Sequence, residues 1–126
     1  MAKKILVIDD DRLVVKSLAK LLTAAGYNVS CAQNENEAVE LVNTTGFDLL
    51  ISDIRIPGKD GIEIASDIEK NIAEKNEKMI PVIFITGYSD PDNYDKAKKL
   101  KASDFIYKPF DRDRFLQAIK SVIGEA

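Results

Sequence analysis

The sequence predicts an α/β protein, a single domain over residues 1–126 built on a doubly wound, five-stranded parallel β-sheet. Short apolar segments of strand length alternate five times with longer segments of helical apolar spacing. The short segments are almost continuously apolar, as in strands that are buried on both faces. Strand–helix–strand crossovers make such a sheet parallel and place helices on both of its faces.

The five predicted strands cover residues 5–8, 28–32, 48–52, 81–85 and 103–107. Pro81 is acceptable at the first position of a strand, where its missing N–H breaks no ladder bond.

The five predicted helices cover residues 13–25, 35–45, 62–75, 91–100 and 111–123. In the first helix, one face carries apolar residues at helical spacing, and Gly26 follows where a left-handed turn ends many helices. Asn34 is the predicted N-cap of the second helix, and Glu37 completes a capping box. The face of the first helix carries Val14, Leu18, Leu21 and Ala25. The second helix is predicted to direct Ala38, Leu41 and Val42 inward, and the apolar residues of the last helix are Phe115, Ile119, Val122 and Ile123.

Charge and composition exclude several classes of function. The net charge is −3, and the densest basic patch (Lys96, Lys98, Lys99 and Lys101) is best explained as a solvated helix face, so we expect no direct nucleic-acid binding. The chain has no histidine, which excludes Ser-His-Asp triads and His-ligated metals. Any reactive chemistry must come from carboxylates, hydroxyls and lysines.

The sequence predicts a cytoplasmic protein. The single cysteine, Cys31, cannot form an intramolecular disulfide and is predicted to be a small core residue. No stretch is long and apolar enough for a membrane span, and residues 1–4 run directly into a strand, so we expect no signal peptide.

Polar residues gather where the predicted strands end. Asp9, Asp10 and Asp11 follow the first strand, Asp53 the third, Thr86-Gly87 the fourth and Lys108-Pro109 the fifth. In parallel sheets these ends meet at one edge, where ligands bind. Two carboxylates about 5 Å apart repel by roughly 3 kcal/mol at an effective dielectric near 20. The cluster therefore predicts a hard cation, Mg²⁺ or Mn²⁺ in its place, while Asp11 is explained as the N-cap of the first helix.

A carboxylate beside a cation and a lysine is suited to phosphoryl transfer, which needs positioning and neutralisation of charge on the phosphoryl oxygens. Asp53 would be the nucleophile and form an acyl phosphate. The cation and Lys108 would stabilise the charge on the transferring group.

These residues, in this order, resemble the receiver domain of two-component response regulators. The resemblance rests on residues 8–11, 52–61, 86–87 and 107–110 and covers essentially the whole chain. It implies a flavodoxin-like strand order of 2-1-3-4-5. It also implies a phosphorelay partner, either a sensor histidine kinase or a histidine phosphotransfer protein, and an unknown downstream protein or output domain.

The resemblance also implies roles for individual residues. Asp53 would be the phosphoacceptor and a metal ligand, with Asp10 a direct ligand and Asp9 acting largely through water. Arg55 would lend its backbone carbonyl to the metal. Lys108 would pair with Asp53 and then with the phosphoryl group, and its peptide bond to Pro109 would be cis. The domain would catalyse transfer to its own Asp53 without being a turnover enzyme.

The same family implies a switch. Thr86 would donate its hydroxyl to a phosphoryl oxygen, and Tyr107 would swing inward when Thr86 moves. Taken alone, Thr86 is also explained as a β-branched strand end, and Tyr107 as a fixed, half-buried aromatic. The predicted helix at 91–100 has few apolar residues and hence low local stability, so the fourth helix, fifth strand and fifth helix are the predicted output surface.

Arg55 and Tyr88 each lie two residues beyond a site residue. We expect their side chains to overlook the site, limit the access of water and slow hydrolysis of the acyl phosphate.

Three other functions fit parts of the sequence. Asp9-x-Asp11 loosely resembles the nucleophile motif of haloacid-dehalogenase-type phosphatases, which usually need a longer chain. A flavin-binding domain of the same fold would need a phosphate-binding loop after the first strand. This chain has three aspartates there, which would repel phosphate. The third alternative is a degenerate receiver that docks a partner without being phosphorylated.

Overall fold

The structure is a computed structural model that describes residues 2–54, 61–75, 78–86, 104–107 and 111–124. For Thr86, Phe105 and Tyr107 it describes the backbone alone.

Five strands form one parallel sheet: β1 (Lys4–Ile8), β2 (Asn28–Ala32), β3 (Leu49–Asp53), β4 (Val82–Thr86) and β5 (Asp104–Tyr107). Their order across the sheet is β2-β1-β3-β4-β5, and every neighbouring pair is parallel. The predicted sheet and its order are confirmed.

Four helices lie in the described part of the chain: α1 (Arg12–Ala24), α2 (Glu35–Thr44), α3 (Gly61–Glu74) and α4 (Arg112–Ile123). Each begins within one residue of its predicted start. The predicted polar helix at 91–100 lies outside the described residues. None of the described helices is long and apolar enough to cross a bilayer.

The sheet has a hydrophobic core on each face. On one face, side chains from β1, β3, β4 and β5 pack against α1 and α4, with Leu22 and Phe115 fully buried. On the other face, alternate residues of β1 and β3 pack against α2 and α3, with Leu6 and Ile64 fully buried. This double layer confirms the doubly wound arrangement, because strand side chains alternate between the two faces.

Local signals in the sequence determine the ends of α1 and α2. Gly26 has φ 98°, and the N–H groups of Gly26 and Tyr27 donate to Thr23 and Leu22, which is the predicted left-handed stop. Asn34 Oδ1 accepts from the Glu37 N–H at 2.9 Å, so the N-cap is confirmed. The Glu37 carboxylate bonds the N–H of Gln33 at 2.9 Å, one residue before the cap that the capping box predicts.

The apolar face of α1 packs on the core, whereas the prediction for Cys31 needs correction. In α1 Val15, Leu18 and Leu22 are buried, and Val14, Leu21 and Ala25 are partly buried and pack against the same core. Apolar residues cover more than one face of this helix, so docking on the sheet decides which row is buried. Cys31 is exposed and not a core residue, because β2 lies at the edge of the sheet.

Candidate functional site

The carboxyl ends of the strands bring the predicted site residues to one edge of the sheet. Asp53 is the last residue of β3 and pairs in register with Ile85 of β4. Ile8 pairs with Ser52, so the β1–β3 register, continued by one residue, places Asp9 beside Asp53. Asp9 and Asp53 also share a face of the sheet, since each lies two residues after a side chain of the α1–α4 core.

Asp9 is a buried carboxylate with only 2% of its surface exposed. Its Oδ1 accepts a hydrogen bond from the Asp11 N–H at 3.0 Å, and its own N–H donates to the Ala32 carbonyl at 3.1 Å. Burying a carboxylate is costly unless it is hydrogen-bonded or paired with positive charge. Asp9 is therefore held in place by the chain that leads into α1.

Asp10 and Asp11 have different environments although they are adjacent. Asp11 caps α1, because its Oδ1 accepts from the N–H of Leu13 at 2.9 Å and of Val14 at 3.4 Å. Asp10 is exposed at the edge of the sheet. The interpretation of Asp11 as a cap is confirmed.

Asp53 is half-buried, so its side chain remains open to solvent beside Asp9. Its backbone is constrained on both sides. The Ser52 hydroxyl donates to the Asp53 carbonyl at 3.0 Å, and the next N–H, of Ile54, donates to Ile85 at 3.2 Å. The nucleophile predicted from the sequence thus stands on a fixed backbone at the end of a central strand.

Gly61 is a residue of this site that the sequence predicted only as a loop glycine. As the first residue of α3, it lies so close to Asp53 that a Cβ at this position would overlap the Asp53 carbonyl oxygen and lie 2.6 Å from Ser52 Oγ. Its N–H donates to the Ile54 carbonyl at 2.8 Å. The available signal was a glycine at the start of an amphipathic helix, where a close approach of two backbones is one explanation.

The remaining predicted site residues are less completely described. Thr86 and Tyr107 are register partners at the ends of β4 and β5, so their backbones meet at the same edge as Asp53. The predictions for Arg55, Tyr88, Lys108 and Pro109 fall outside the described residues.

The carboxylates at this edge fit a hard cation by their chemistry, because all their donors are oxygen and carboxylate oxygens suit Mg²⁺. Within residues 2–54, 61–75, 78–86, 104–107 and 111–124, however, no group of three or more Asp, Glu, Cys or His side chains is placed to hold a metal ion.

The sequence model of the response regulator receiver domain matches residues 5–120 of the chain. The chain belongs to this family. It is a receiver domain of the kind found in two-component response regulators, and the family is one of signalling domains.

One protein with a similar sequence is a bacterial regulator. Transcriptional regulatory protein CrdR of Helicobacter pylori is 38% identical over 127 residues, which cover 99% of this chain and 57% of that protein. This chain therefore spans little more than half the length of that relative.

Solved structures show the same fold. Chemotaxis protein CheY4 of Vibrio cholerae superposes with a TM-score of 0.87 at 25% identity, covering 97% of this chain and 99% of that one. Response regulator TrrA of Thermotoga maritima, solved in complex with Mg²⁺-BeF, gives a TM-score of 0.81 at 29% identity, covering 95% and 98%.

Proposed function

We propose that this receiver is a phosphorylation-driven switch in which Asp53 takes a phosphoryl group from a phosphohistidine. The donor would be a sensor histidine kinase or a histidine phosphotransfer protein. The observation that carries the proposal is the half-exposed Asp53 carboxylate at the end of central strand β3, beside the buried Asp9.

The proposed reaction is a displacement at phosphorus. A carboxylate oxygen of Asp53 attacks, an O–P bond forms, and the P–N bond of the phosphohistidine breaks with its electron pair left on the imidazole nitrogen. The backbone hydrogen bonds around Asp53 hold the attacking carboxylate in place, which matters because phosphoryl transfer depends chiefly on positioning.

Asp9, Asp10 and Asp53 would hold the Mg²⁺, or Mn²⁺ in its place, together with the backbone carbonyl of Arg55. When bound, the cation supplies positive charge to the phosphoryl oxygens. Lys108 would add a second positive charge and pair with Asp53 before transfer. TrrA was solved with Mg²⁺-BeF, which supports a magnesium requirement in this family.

The phosphorylated site would change the output surface through Thr86 and Tyr107. Their register pairing at the ends of β4 and β5 supports a direct path from the site to that surface, which comprises the predicted helix at 91–100, β5 and α4. On it, Arg114 and Asp104 form an ion pair of 3.7 Å between partly exposed side chains. Such pairs contribute about 1 kcal/mol or less, so this one would not prevent a rearrangement.

Downstream, the domain over residues 1–126 would act on an output domain or a separate protein in the cytoplasm. The relative CrdR is called a transcriptional regulatory protein. The net charge of −3 favours an indirect link to nucleic acid over contact by this domain itself. Arg55 and Tyr88 would slow hydrolysis of the acyl phosphate by limiting the access of water.

The test is treatment with acetyl phosphate and Mg²⁺, followed by intact-mass analysis of wild type, Asp53→Asn and Asp11→Asn. We expect one phosphoryl adduct on wild type, lost with EDTA and absent from Asp53→Asn. Asp11→Asn is the matched control, because asparagine caps a helix about as well as aspartate, and it should still be labelled.

Two results would contradict the proposal. An adduct that persists in Asp53→Asn would mean that another carboxylate is the acceptor. The absence of any adduct on wild type, under conditions that label another receiver, would favour a module that docks its partner unphosphorylated.

A further inference from the structure

Two residues that take no part in the proposed chemistry hold the peptide that follows Asp53. Ser52 is 1% exposed, and its hydroxyl donates to the Asp53 carbonyl at 3.0 Å. A serine is unusual among the apolar residues of a strand that is buried on both faces, because an unpaired buried hydroxyl is costly. Its hydrogen bond therefore accounts for the presence of a polar residue at this position.

Gly61, the first residue of α3, lies against the same carbonyl group of Asp53. A Cβ at residue 61 would overlap the Asp53 carbonyl oxygen and crowd Ser52 Oγ at 2.6 Å. The Gly61 N–H donates to the Ile54 carbonyl at 2.8 Å, which joins the start of α3 to the residue after Asp53. Any side chain larger than hydrogen at 61 must push α3 and the end of β3 apart.

Both contacts reach Asp53 from the side of the sheet opposite its carboxylate. Ser52 lies two residues after Leu50, in the α2–α3 core, whereas Asp53 lies two residues after Ile51, in the α1–α4 core. Because strand side chains alternate, Ser52 and Gly61 constrain the backbone of Asp53 without entering the space in front of its side chain. Because the Asp53 carbonyl is held in place, the backbone angle ψ of Asp53 is restricted, and so is the direction in which its carboxylate points.

We propose that Ser52 and Gly61 are positioning residues that orient Asp53 for attack on phosphorus. The proposal rests on the proposed role of Asp53 as the phosphoacceptor. Both residues act through the Asp53 carbonyl, and neither touches the phosphoryl group. Misplacement of a reacting group by about 1 Å can slow a reaction by about a hundredfold, so a smaller displacement should still be measurable.

The test measures the rate at which Ser52→Ala and Gly61→Ala are phosphorylated as the concentrations of acetyl phosphate and Mg²⁺ are varied. We expect the maximal rate of each variant to fall about tenfold. The acetyl phosphate and Mg²⁺ concentrations that give half of the maximal rate should change little. A role in folding alone would lower thermal stability and leave the maximal rate of the folded protein unchanged. Circular dichroism at the assay temperature shows that each variant is folded.

The chain offers matched controls for both changes. Gly46→Ala places a Cβ where no atom lies within 4 Å, and Ser30→Ala removes a strand hydroxyl at the edge of the sheet. Both controls should keep the wild-type rate within about twofold, as for substitutions away from a structured contact. Ser52→Thr keeps the hydroxyl and should restore most of the rate lost in Ser52→Ala.

The double variant Ser52→Ala with Gly61→Ala tests whether the two residues act on one carbonyl. We expect its loss of rate to be smaller than the product of the single losses, because residues that share a partner are not additive. If Gly61→Ala does not fold, Ser52→Ala and Ser52→Thr decide the question.

The outcomes separate this inference from the proposed function. If wild type is labelled on Asp53 and folded Ser52→Ala and Gly61→Ala are labelled at the wild-type maximal rate, the positioning role is wrong while the phosphoacceptor stands. If Ser52→Thr is as slow as Ser52→Ala, the hydroxyl is not the group responsible. If wild type is not labelled at all, the proposed function fails and the inference fails with it.

Discussion

Three consecutive aspartates with the same side chain have three different environments in this receiver. Asp9 is buried against the start of α1, Asp10 is exposed, and Asp11 caps the helix. Their differences come from the point where β1 ends and the chain turns into α1. The residue type alone thus identifies a cluster of carboxylates, whereas the position of each residue along the backbone decides its environment.

Cys31 shows the same dependence on environment. It is exposed at the edge of the sheet, yet neighbouring atoms partly desolvate the thiol, and this partial burial raises its pKa. A raised pKa means that less of the reactive thiolate is present at a given pH than in an unfolded chain.

We predict that the pH midpoint for alkylation of Cys31 by iodoacetamide lies higher in the folded protein than in the urea-unfolded one. Cys31 is the only cysteine, so the reaction reports on one site. The raised pKa also makes the free energy of unfolding depend on pH, because the Cys31 thiol keeps its proton to higher pH in the folded state than in the unfolded state. The contribution of Cys31 to stability is fully present below the ordinary thiol pKa and is lost as the pH rises through the raised pKa. Equal midpoints would show that the native structure does not desolvate this thiol.

At the scale of single elements, helices are defined by their ends and oriented by their docking. Asp11, Asn34 and Asp111 cap three helices with side-chain oxygens, as their residue types favour. The orientation of α1 about its axis is decided by the sheet, which buries Val15 and Leu22. A helix with apolar residues around much of its circumference can dock in more than one rotation, so spacing alone does not select one.

We predict that Phe115→Ala destabilises the domain by about 3–5 kcal/mol, because it removes a large, fully buried side chain of α4. Leu13→Ala is the control in α1. Leu13 is 77% exposed, so its loss should change stability by no more than about 0.5 kcal/mol. Urea unfolding measures both. Similar losses in the two variants would show that α4 is not docked on the sheet by Phe115.

At the scale of the whole molecule, the sheet order places two central strands, β1 and β3, side by side. Asp9 follows the last residue of β1, and Asp53 is the last residue of β3. Asp9, Asp10 and Asp53 lie at one edge of the sheet because the parallel topology directs every strand end there. Repulsion among them would lower the stability of the folded state until a cation is bound.

We predict that Mg²⁺ raises the urea midpoint of wild type at constant ionic strength, since a ligand that binds only the native state stabilises it by mass action. Without the cation, Asp53→Asn should be more stable than wild type, because one of the repelling charges is gone. Its response to Mg²⁺ should be reduced, and EDTA should reverse the effect in wild type. Equal responses in the two proteins would contradict a site that includes Asp53.

The sequence by itself determined the order of strands and helices, the caps and the carboxylates at the strand ends, because these depend on local spacing and residue type. The tertiary structure decided that Tyr27 donates its hydroxyl to the Gly124 carbonyl at 2.9 Å, across 97 positions of the chain. It also decided that Gly61 lies against the Asp53 carbonyl and that Cys31 lies at an exposed edge. Such contacts depend on how one element docks on another, and docking is set by the packing of the whole core.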